Sequence, residues 1–557
     1  MAWPELNLAH RTQAGHGGAA GGSVAIGLGL GLVAGSLAVF ALGEIKYVVF
    51  LLALTLLGSF FALSGNFRLA CLYAALLAAP LRLGKPFLIS PHMGGAGAFW
   101  IDGVDIFLLL LIRFQIADRM TGRTSGWVFP KLLWLWVALI GLGVLSIAQA
   151  PYRMVAAHEV VRMLKLLVLM LVLINEVVRQ KQFVHAMTAL LLGVALNSGL
   201  AIAQYATGLQ FGLDFLGEGG QEGIESVGSV TLLSREFVFR PGGLMGAGNL
   251  FAAYLALLLP VAVALLLAPL RLSVRLLAGG VFLLGLPALV FTLSRSGWLS
   301  FGASFLLALL LGIWHPVSRR RFMAMRVLII AITVIAGLAL SPLILKRLQG
   351  SDPNALEVRY EWLRTARAIV LDKPVLGVGL NKYVFLQLPY GKDKTADEMT
   401  GRYGKYWPVV HSTWAVTWAE QGSIGMLLFV GLHLAVLRVG LGNLKLRDPL
   451  LHAMGVGLLA GFLAIMIDGV GSFFLRNDQH ARVFWIVTAL ILALRQWRRS
   501  HEPGSPLAAA AMPLTPPVQP TATRWLPTGP AAPRGRWASL GSGAGSGTDV
   551  GSGARQR

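Results

Sequence analysis

Apolar runs of roughly twenty residues recur from Ser23 almost to Leu494, the length a helix needs to cross a bilayer. Their spacing predicts about fourteen spans, near 24–42, 47–64, 68–82, 103–117, 132–150, 158–177, 184–206, 248–268, 276–293, 297–314, 327–345, 412–437, 452–474 and 483–496. The third and fourth are short or interrupted, so the count is about 12–14. Two segments between spans are long, 207–247 and 346–410. Segments of that length carry function more often than they merely connect. Within the second, "ALEVRYEWLRTARAIVLD" (Ala355–Asp372) reads as a helix, ended by Pro374 and the turn-rich "PVLGVG".

The expected fold class is therefore all-α, a polytopic transmembrane helix bundle with a large, partly helical periplasmic loop. Composition agrees: of 557 residues 56% are hydrophobic and 13% charged, with mean hydropathy +0.69, where a soluble chain carries about a quarter charged residues. The first apolar run follows a Gly-rich start and is read as a retained span rather than a cleaved signal. The expected organisation is a cytoplasmic segment at 1–22, an N-terminal transmembrane bundle at 23–206 and an outer loop at 207–247. Transmembrane helices at 248–345 follow, then the large periplasmic loop at 346–410, C-terminal helices at 411–499 and a disordered cytoplasmic tail at 500–557.

The net charge of +22 invites a nucleic-acid reading, but its placement opposes one. The tail contributes only five Arg against Glu502 and Asp549, and much of the excess sits in short inter-span segments. These are Arg119/Arg123/Lys131, Arg179/Lys181, Arg271/Arg275, Arg319/Arg320/Arg321/Arg326, Arg438/Lys445/Arg447 and Arg495/Arg498/Arg499. All fall on one side if the N-terminus is cytoplasmic, as the positive-inside rule requires. Both termini are then expected in the cytoplasm and the long loops in the periplasm. Cys71 is the only cysteine, which excludes a disulfide or a Cys-rich metal site within one chain.

Against that charge rule, several residues stand out. Arg295 is the lone charge in the tight outer hairpin "TLSRSGWLS"; it is either a snorkelling helix-end arginine or a functional cation. Arg240 precedes the span opening at Gly248, in a Pro/Gly-bent approach whose backbone amides can face an anion; the plain alternative is an exposed turn. On the loop helix, Arg364 has Glu361 three residues back, whereas Arg359 has Ala355, Leu356, Trp362 and Leu363 around it and needs a partner from elsewhere. His411 stands where the loop enters a span. A lone interfacial histidine is usually structural, and Glu420 lies about half a helical turn away from its face. An aromatic belt accounts for Trp414 and Trp418. Arg162 and Lys165 share a face of the sixth span and either hold phosphate or pair with Glu159. Asp105 and Asp468 read as caps or pairing partners. No metal-ligand spacing, P-loop or paired-carboxylate motif is found, so neither a metal nor a cofactor is expected.

From about Arg240 to Trp485 the chain resembles the O-antigen ligase and polymerase superfamily of bacterial envelope-glycan enzymes. The stretches that carry the resemblance occur in the family's order: "RPGGLMGAGNLFAAYLALLLP", "TLSRSGWLSF", "VRYEWLRTARAIVLDKPVLGVGLNKY", "HSTWAVTWAEQGSIGMLLF" and, weakly, "NDQHARVFW". The first two hundred residues match only in general hydrophobic layout. The resemblance implies a GT-C-like, metal-independent, membrane-embedded glycosyltransferase acting on an undecaprenyl-diphosphate-linked glycan donor. It also implies that Arg295, Arg359 and His411 are catalytic and, by a weaker correspondence, that Arg240 matches the arginine before the Asn-bearing span. Arg240, together with Arg162, Lys165 and Trp414 from the reading of the residues themselves, is expected to bind the diphosphate or the glycan.

The physics suits that chemistry. Guanidinium groups pair with phosphate in a bidentate way and stabilise charge on a departing diphosphate. A neutral His411 close to an acceptor hydroxyl is able to take its proton, or else position the acceptor. The expected reaction is polymerisation of O-antigen or exopolysaccharide repeats at the periplasmic face of the bacterial inner membrane; the alternative is ligation to lipid A-core. The expected partners are the glycan donor, a glycan or lipid A-core acceptor, the bilayer and other envelope-glycan assembly proteins, with no nucleic acid. A reading of another class is a lipid-linked-glycan flippase. Transporters tend towards matched internal halves, which this sequence lacks, and the candidate residues gather on one side.

Overall fold

The computed structural model describes residues 55–56, 58–60, 65–90, 94–124, 126–148, 151–219, 229–231, 237–313, 323–349, 353–391 and 409–501. The expected span at 24–42, most of that at 47–64 and all but the first residues of the expected tail lie outside the described residues, as do parts of both long loops. The described residues belong to one compact unit, 1–508.

Local signals in the chain set the element ends. α1 (Phe67–Ala78) is capped by the Asn66 side chain, which accepts the Leu69 amide, and Pro80 prevents its continuation. A hairpin of β1 (Gly84–Phe87) and β2 (Phe99–Asp102) follows, pairing antiparallel with Gly84 opposite Asp102. Asp102 opens α2 (Gly103–Met120), and its amide donates to the Asp105 carboxylate in a reciprocal cap. α3 (Leu133–Ala148), α4 (Arg153–Glu176) and α5 (Gln180–Thr207) come next, and a second hairpin, β3 (Ser229–Thr231) with β4 (Phe237–Phe239), precedes α6 (Gly248–Leu266). α7 (Leu272–Phe291), α8 (Arg295–Ile313), α9 (Met323–Ala339) and α10 (Ser341–Gln349) follow. α11 (Pro353–Asp372) and the one-turn α12 (Tyr383–Leu386) lead to α13 (Thr413–Asn443), α14 (Pro449–Asp468) and α15 (Asp478–His501).

The fold is all-α apart from these hairpins. α5, α6, α7, α13 and α14 are each long and apolar enough to cross a bilayer, and α9 with α10 makes a sixth candidate, bent by 60°. The outside of the bundle is apolar too: Leu109, Leu196, Leu299, Leu306 and Leu427 are all exposed, a surface suited to lipid. α6 is almost wholly buried, packed by α7, α8 and α14. Gly457 and Gly461 of α14 let that crossing close. A Cβ at Gly461 meets the Leu257 carbonyl oxygen at 2.1 Å, and one at Gly457 meets the Ala264 methyl at 2.7 Å, the small-residue contact by which membrane helices approach. α4 packs on α3 and α15, and α13 lies against α3, α15 and α11.

Two expected spans differ from what forms. The run at 327–345 is not one helix; it breaks after Ala339, and Pro342 sits in the first turn of α10, where a missing amide costs nothing. The run at 412–437 is interrupted at Gly422, which takes the left-handed region (φ 63°) inside α13. The indole of Trp414 contacts the Phe429 ring, centroids 5.4 Å apart. Fifteen residues of straight helix span about 22 Å, so the piece before Gly422 turns steeply from the piece after it. The break is filled by the chain that follows α11. The Ser423 amide donates to the Pro374 carbonyl, and the Val378 and Gly379 amides donate to the Ala419 and Glu420 carbonyls.

One end of the bundle gathers the chain segments that matter for the site. The Thr413 amide donates to the carbonyls of Gly469 and Ser472, tying the start of α13 to the end of α14. Leu380 donates to the Ser146 hydroxyl at the end of α3, and Arg240 donates to the Thr292 carbonyl at the end of α7.

Candidate active site

His411 precedes the N-cap of α13, where the Ser412 hydroxyl accepts the Ala415 amide. Its Nδ1 lies 3.1 Å from the Val409 carbonyl. A carbonyl only accepts, so this contact places the ring proton on Nδ1 and leaves Nε2 with a lone pair. The ring stacks on Trp362 of α11 (4.4 Å between centroids, 15°) and meets the edge of Phe473 (4.9 Å, 80°). Burial, with Arg359 adding to it, holds the imidazole down to about 4, so it is neutral near pH 7.

Arg359 stands one helical turn before Trp362. As a residue it is exposed, while burial around its guanidinium and the neighbouring Arg295 push it below the ordinary guanidinium range; Asp468 opposes that shift. Arg295 opens α8, directly after the turn 292–294. Arg240 and Arg347 grip this turn, donating through Nε to the carbonyls of Thr292 (2.8 Å) and Leu293 (3.1 Å). Burial and then Arg347 bring Arg240 down to about 10. Among the described residues, neither Arg295 nor Arg359 has a carboxylate within ion-pair distance. Asp468, at the end of α14 and 2% exposed, faces Ser296, Ser472 and Arg359. Neither of its carboxylate oxygens completes a hydrogen bond of ordinary geometry.

The structure thus brings Arg295, Arg359 and His411 together with Asp468, and sets Arg240 and Arg347 beside the Arg295 turn. Arg295 and Arg359, with Arg240 and Arg347 on the adjoining turn and one buried carboxylate facing Arg359, make an electropositive site with a neutral imidazole in it. Such a site suits an anion carrying more than one charge and a hydroxyl that must lose a proton.

Three expected site residues have other partners. Arg162 is paired with Glu159, lies 3.6 Å from Asp478 and donates to the Leu475 carbonyl. Lys165 bonds Asp102 and Asp105, each at 2.8 Å. Pairing with Glu159, the second of the two readings open for Arg162, is what forms; both cations are committed to carboxylates rather than held free for phosphate. Trp414 packs its indole on Phe429 and His433, against the bundle core. Glu420, as helix geometry requires, does not reach His411; it bonds Arg476 instead.

Arg347 escaped the sequence reading, and Asp468 was read there only as a cap or pairing partner, not as part of the site. Asp468 had one usable signal, being the only charged residue of a twenty-residue apolar helix. Arg347 had the same signal as Arg295, a cation on the side where the charge rule disfavours it, but it was hidden at the end of an expected span. Among the described residues no group of three or more His, Cys, Asp or Glu side chains is gathered for a metal ion.

Comparison with known proteins bears on this geometry. No curated protein matches the chain. A solved chain from work on structural coordination of polymerization and crosslinking by a peptidoglycan synthase complex aligns at 15% identity, covering 67% of this chain and 98% of that one, with a TM-score of 0.34; a likeness that low carries no weight here. A family model described as O-Antigen ligase matches residues 280–430. That range holds Arg295, Arg347, Arg359, Trp362 and His411, so this segment is similar to the O-antigen ligase family over the part of the chain that carries the candidate site.

Proposed function

We propose that this protein is a membrane glycosyltransferase that moves a glycan from an undecaprenyl-diphosphate carrier to a sugar hydroxyl at the periplasmic face of the inner membrane. One observation carries the reading: a neutral, Nδ1-anchored His411 sits beside Arg359 and Arg295, neither of which has a carboxylate partner among the described residues. The acceptor hydroxyl oxygen attacks the anomeric carbon, the carbon–oxygen bond to the diphosphate breaks, and the bonding pair leaves on the carrier diphosphate. Nε2 of His411 takes the hydroxyl proton. Arg295 and Arg359 stabilise the negative charge that grows on the leaving group, with Arg240 and Arg347 adding to the field. Trp362 and Phe473 fix the imidazole plane and keep water from it. Asp468 supplies an attractive charge that holds Arg359 before the donor arrives.

The acceptor we favour is a second carrier-linked repeat, which makes the reaction a polymerisation. Ligation to lipid A-core is the second reading, favoured by the description of the matched family. The test is purified protein incubated with a defined undecaprenyl-diphosphate oligosaccharide, with and without lipid A-core. Longer carrier-linked chains are expected, and glycan-modified core instead would establish the ligase. If neither forms while the labelled lipid crosses proteoliposomes, the flippase reading replaces both.

A further inference from the structure

The mechanism above leaves one buried acid unused. Glu420 is 2% exposed, nine residues beyond His411 and just before the break at Gly422. Its two oxygens do not face the catalytic groups. Oε2 accepts the Asn381 amide at 2.8 Å and pairs with Arg476, while Oε1 accepts the Tyr383 amide at 3.2 Å. Arg476 in turn lies 3.6 Å from Glu159, so the pair is backed by the charges of α4. Residues 374–383, which Glu420 thereby grips, continue directly from α11, the helix that carries Arg359 and Trp362.

The backbone around this carboxylate is built for close docking. A Cβ on Gly422 meets the Val375 carbonyl oxygen at 2.2 Å, and one on Gly377 (φ 67°) meets the Ala419 carbonyl oxygen at 2.5 Å. Asn381 sits at φ 63° and its Nδ2 donates to the carbonyls of Ala96 and Val155, each at 2.9 Å. Non-glycine residues pay for such a conformation and keep it only when their surroundings over-determine it. Glu420 of α13 thus holds this segment through the Asn381 and Tyr383 amides, on the helix face opposite His411.

We propose that Glu420 is a positioning residue that acts through residues 374–383, fixing α11 so that Arg359 and Trp362 stand against His411. The role rests on the transferase reading for its consequence, but the latch itself is a property of the fold. Transition-state groups held loosely lose turnover before they lose affinity. Loss of the latch therefore lowers the rate per folded molecule, and a residue that merely stabilises the bundle lowers only the yield of folded molecules.

The experiment compares wild-type protein with Glu420→Gln and Glu420→Asp in nanodiscs. Amide hydrogen exchange is followed across 373–391 and 423–443, and kcat and KM are measured for transfer. In Glu420→Gln, faster exchange confined to 376–391 is expected, with protection of 423–443 unchanged. Alongside it, kcat is expected to fall by up to roughly 100-fold at nearly constant KM, with partial recovery in Glu420→Asp. Unchanged exchange at 376–391 overturns the latch. Faster exchange with unaltered kcat overturns the positioning role. If wild-type protein transfers nothing, the transferase reading is what fails, and exchange alone decides the latch. Should Glu420→Gln not fold, Arg476→Lys, which keeps a cation opposite the acid, is read in the same two ways.

Discussion

At the scale of single residues, His411 makes the sharpest statement. Its half-buried ring sits between Trp362 and Phe473 and faces Arg359, so the protonated form is disfavoured down to about pH 4, below the ordinary value of 6.5. A general base with that environment stays competent through mildly acidic pH. The acid limb of the pH–rate profile is expected near pH 4 to 5 rather than at 6.5. A limb at 6.5 or above, not moved by Trp362→Ala, counts against His411 as the base. The same shift has a stability consequence. Above 6.5 both folded and unfolded chains hold the neutral ring, and nothing is lost. Between 6.5 and about 4 the unfolded chain takes up a proton that the folded chain refuses, so stability falls with pH, by up to about 3 kcal/mol in all. Below that window the contribution is level. Thermal unfolding in detergent checks it: over this range wild-type protein should lose more of its Tm than His411→Gln.

The elements that hold these residues depend on the break in α13. Gly422 needs the left-handed region and lies against the Val375 backbone, where a Cβ has no room. Gly422→Ala is expected to cost about 1–3 kcal/mol from the backbone conformation alone, with the clash adding to it, and to loosen residues 374–383 first. A Tm unchanged to within a degree contradicts the break as drawn. This element also marks the boundary of what the sequence discloses. Apolar runs gave the helices, because burial in a bundle or in lipid leaves a length signal that survives in one dimension. The outer-hairpin Arg295 and the loop-helix Arg359 were legible because each lacked the acid neighbour that Arg364 has in Glu361. The break was not legible: "AEQGSIG" is as apolar as its flanks, and a single glycine inside a helix is usually tolerated. Nor was the partner of the break, since Pro374–Gly379 reaches it only through the fold. For Arg162 and Lys165 the sequence left phosphate binding and ion pairing open for a related reason. The carboxylates that claim them, Asp102, Asp105 and Asp478, come from other elements, and only Glu159 was visible along the same helix.

On the scale of the whole bundle, charge is arranged in a way that sets two demands against each other. Basic residues such as Arg119, Arg179, Arg271, Arg438 and Arg498 lie towards one end of the helices, where the positive-inside rule wants them. Arg240, Arg295, Arg347 and Arg359 cluster at the other end, where the rule disfavours cations. A bundle keeps cations on the translocated side only where they serve a task, and binding an anionic donor is one that requires them. If the rule sets the orientation, the α2 end at Met120 faces the cytoplasm and α11 faces the periplasm. Tyr360 and Met120 are both well exposed, at 65% and 83%, and the single native cysteine, Cys71, is buried. In a Cys71→Ser background, Tyr360→Cys is therefore expected to react with a membrane-impermeant maleimide in intact spheroplasts. Met120→Cys should react only after the membrane is opened. Labelling of both in intact spheroplasts would mean that the helices between them do not leave the two positions on opposite sides of a membrane. The reversed pattern would put the arginine cluster in the cytoplasm, on the side where sugar transfer draws on nucleotide-activated donors, and would remove the basis for a lipid-diphosphate donor.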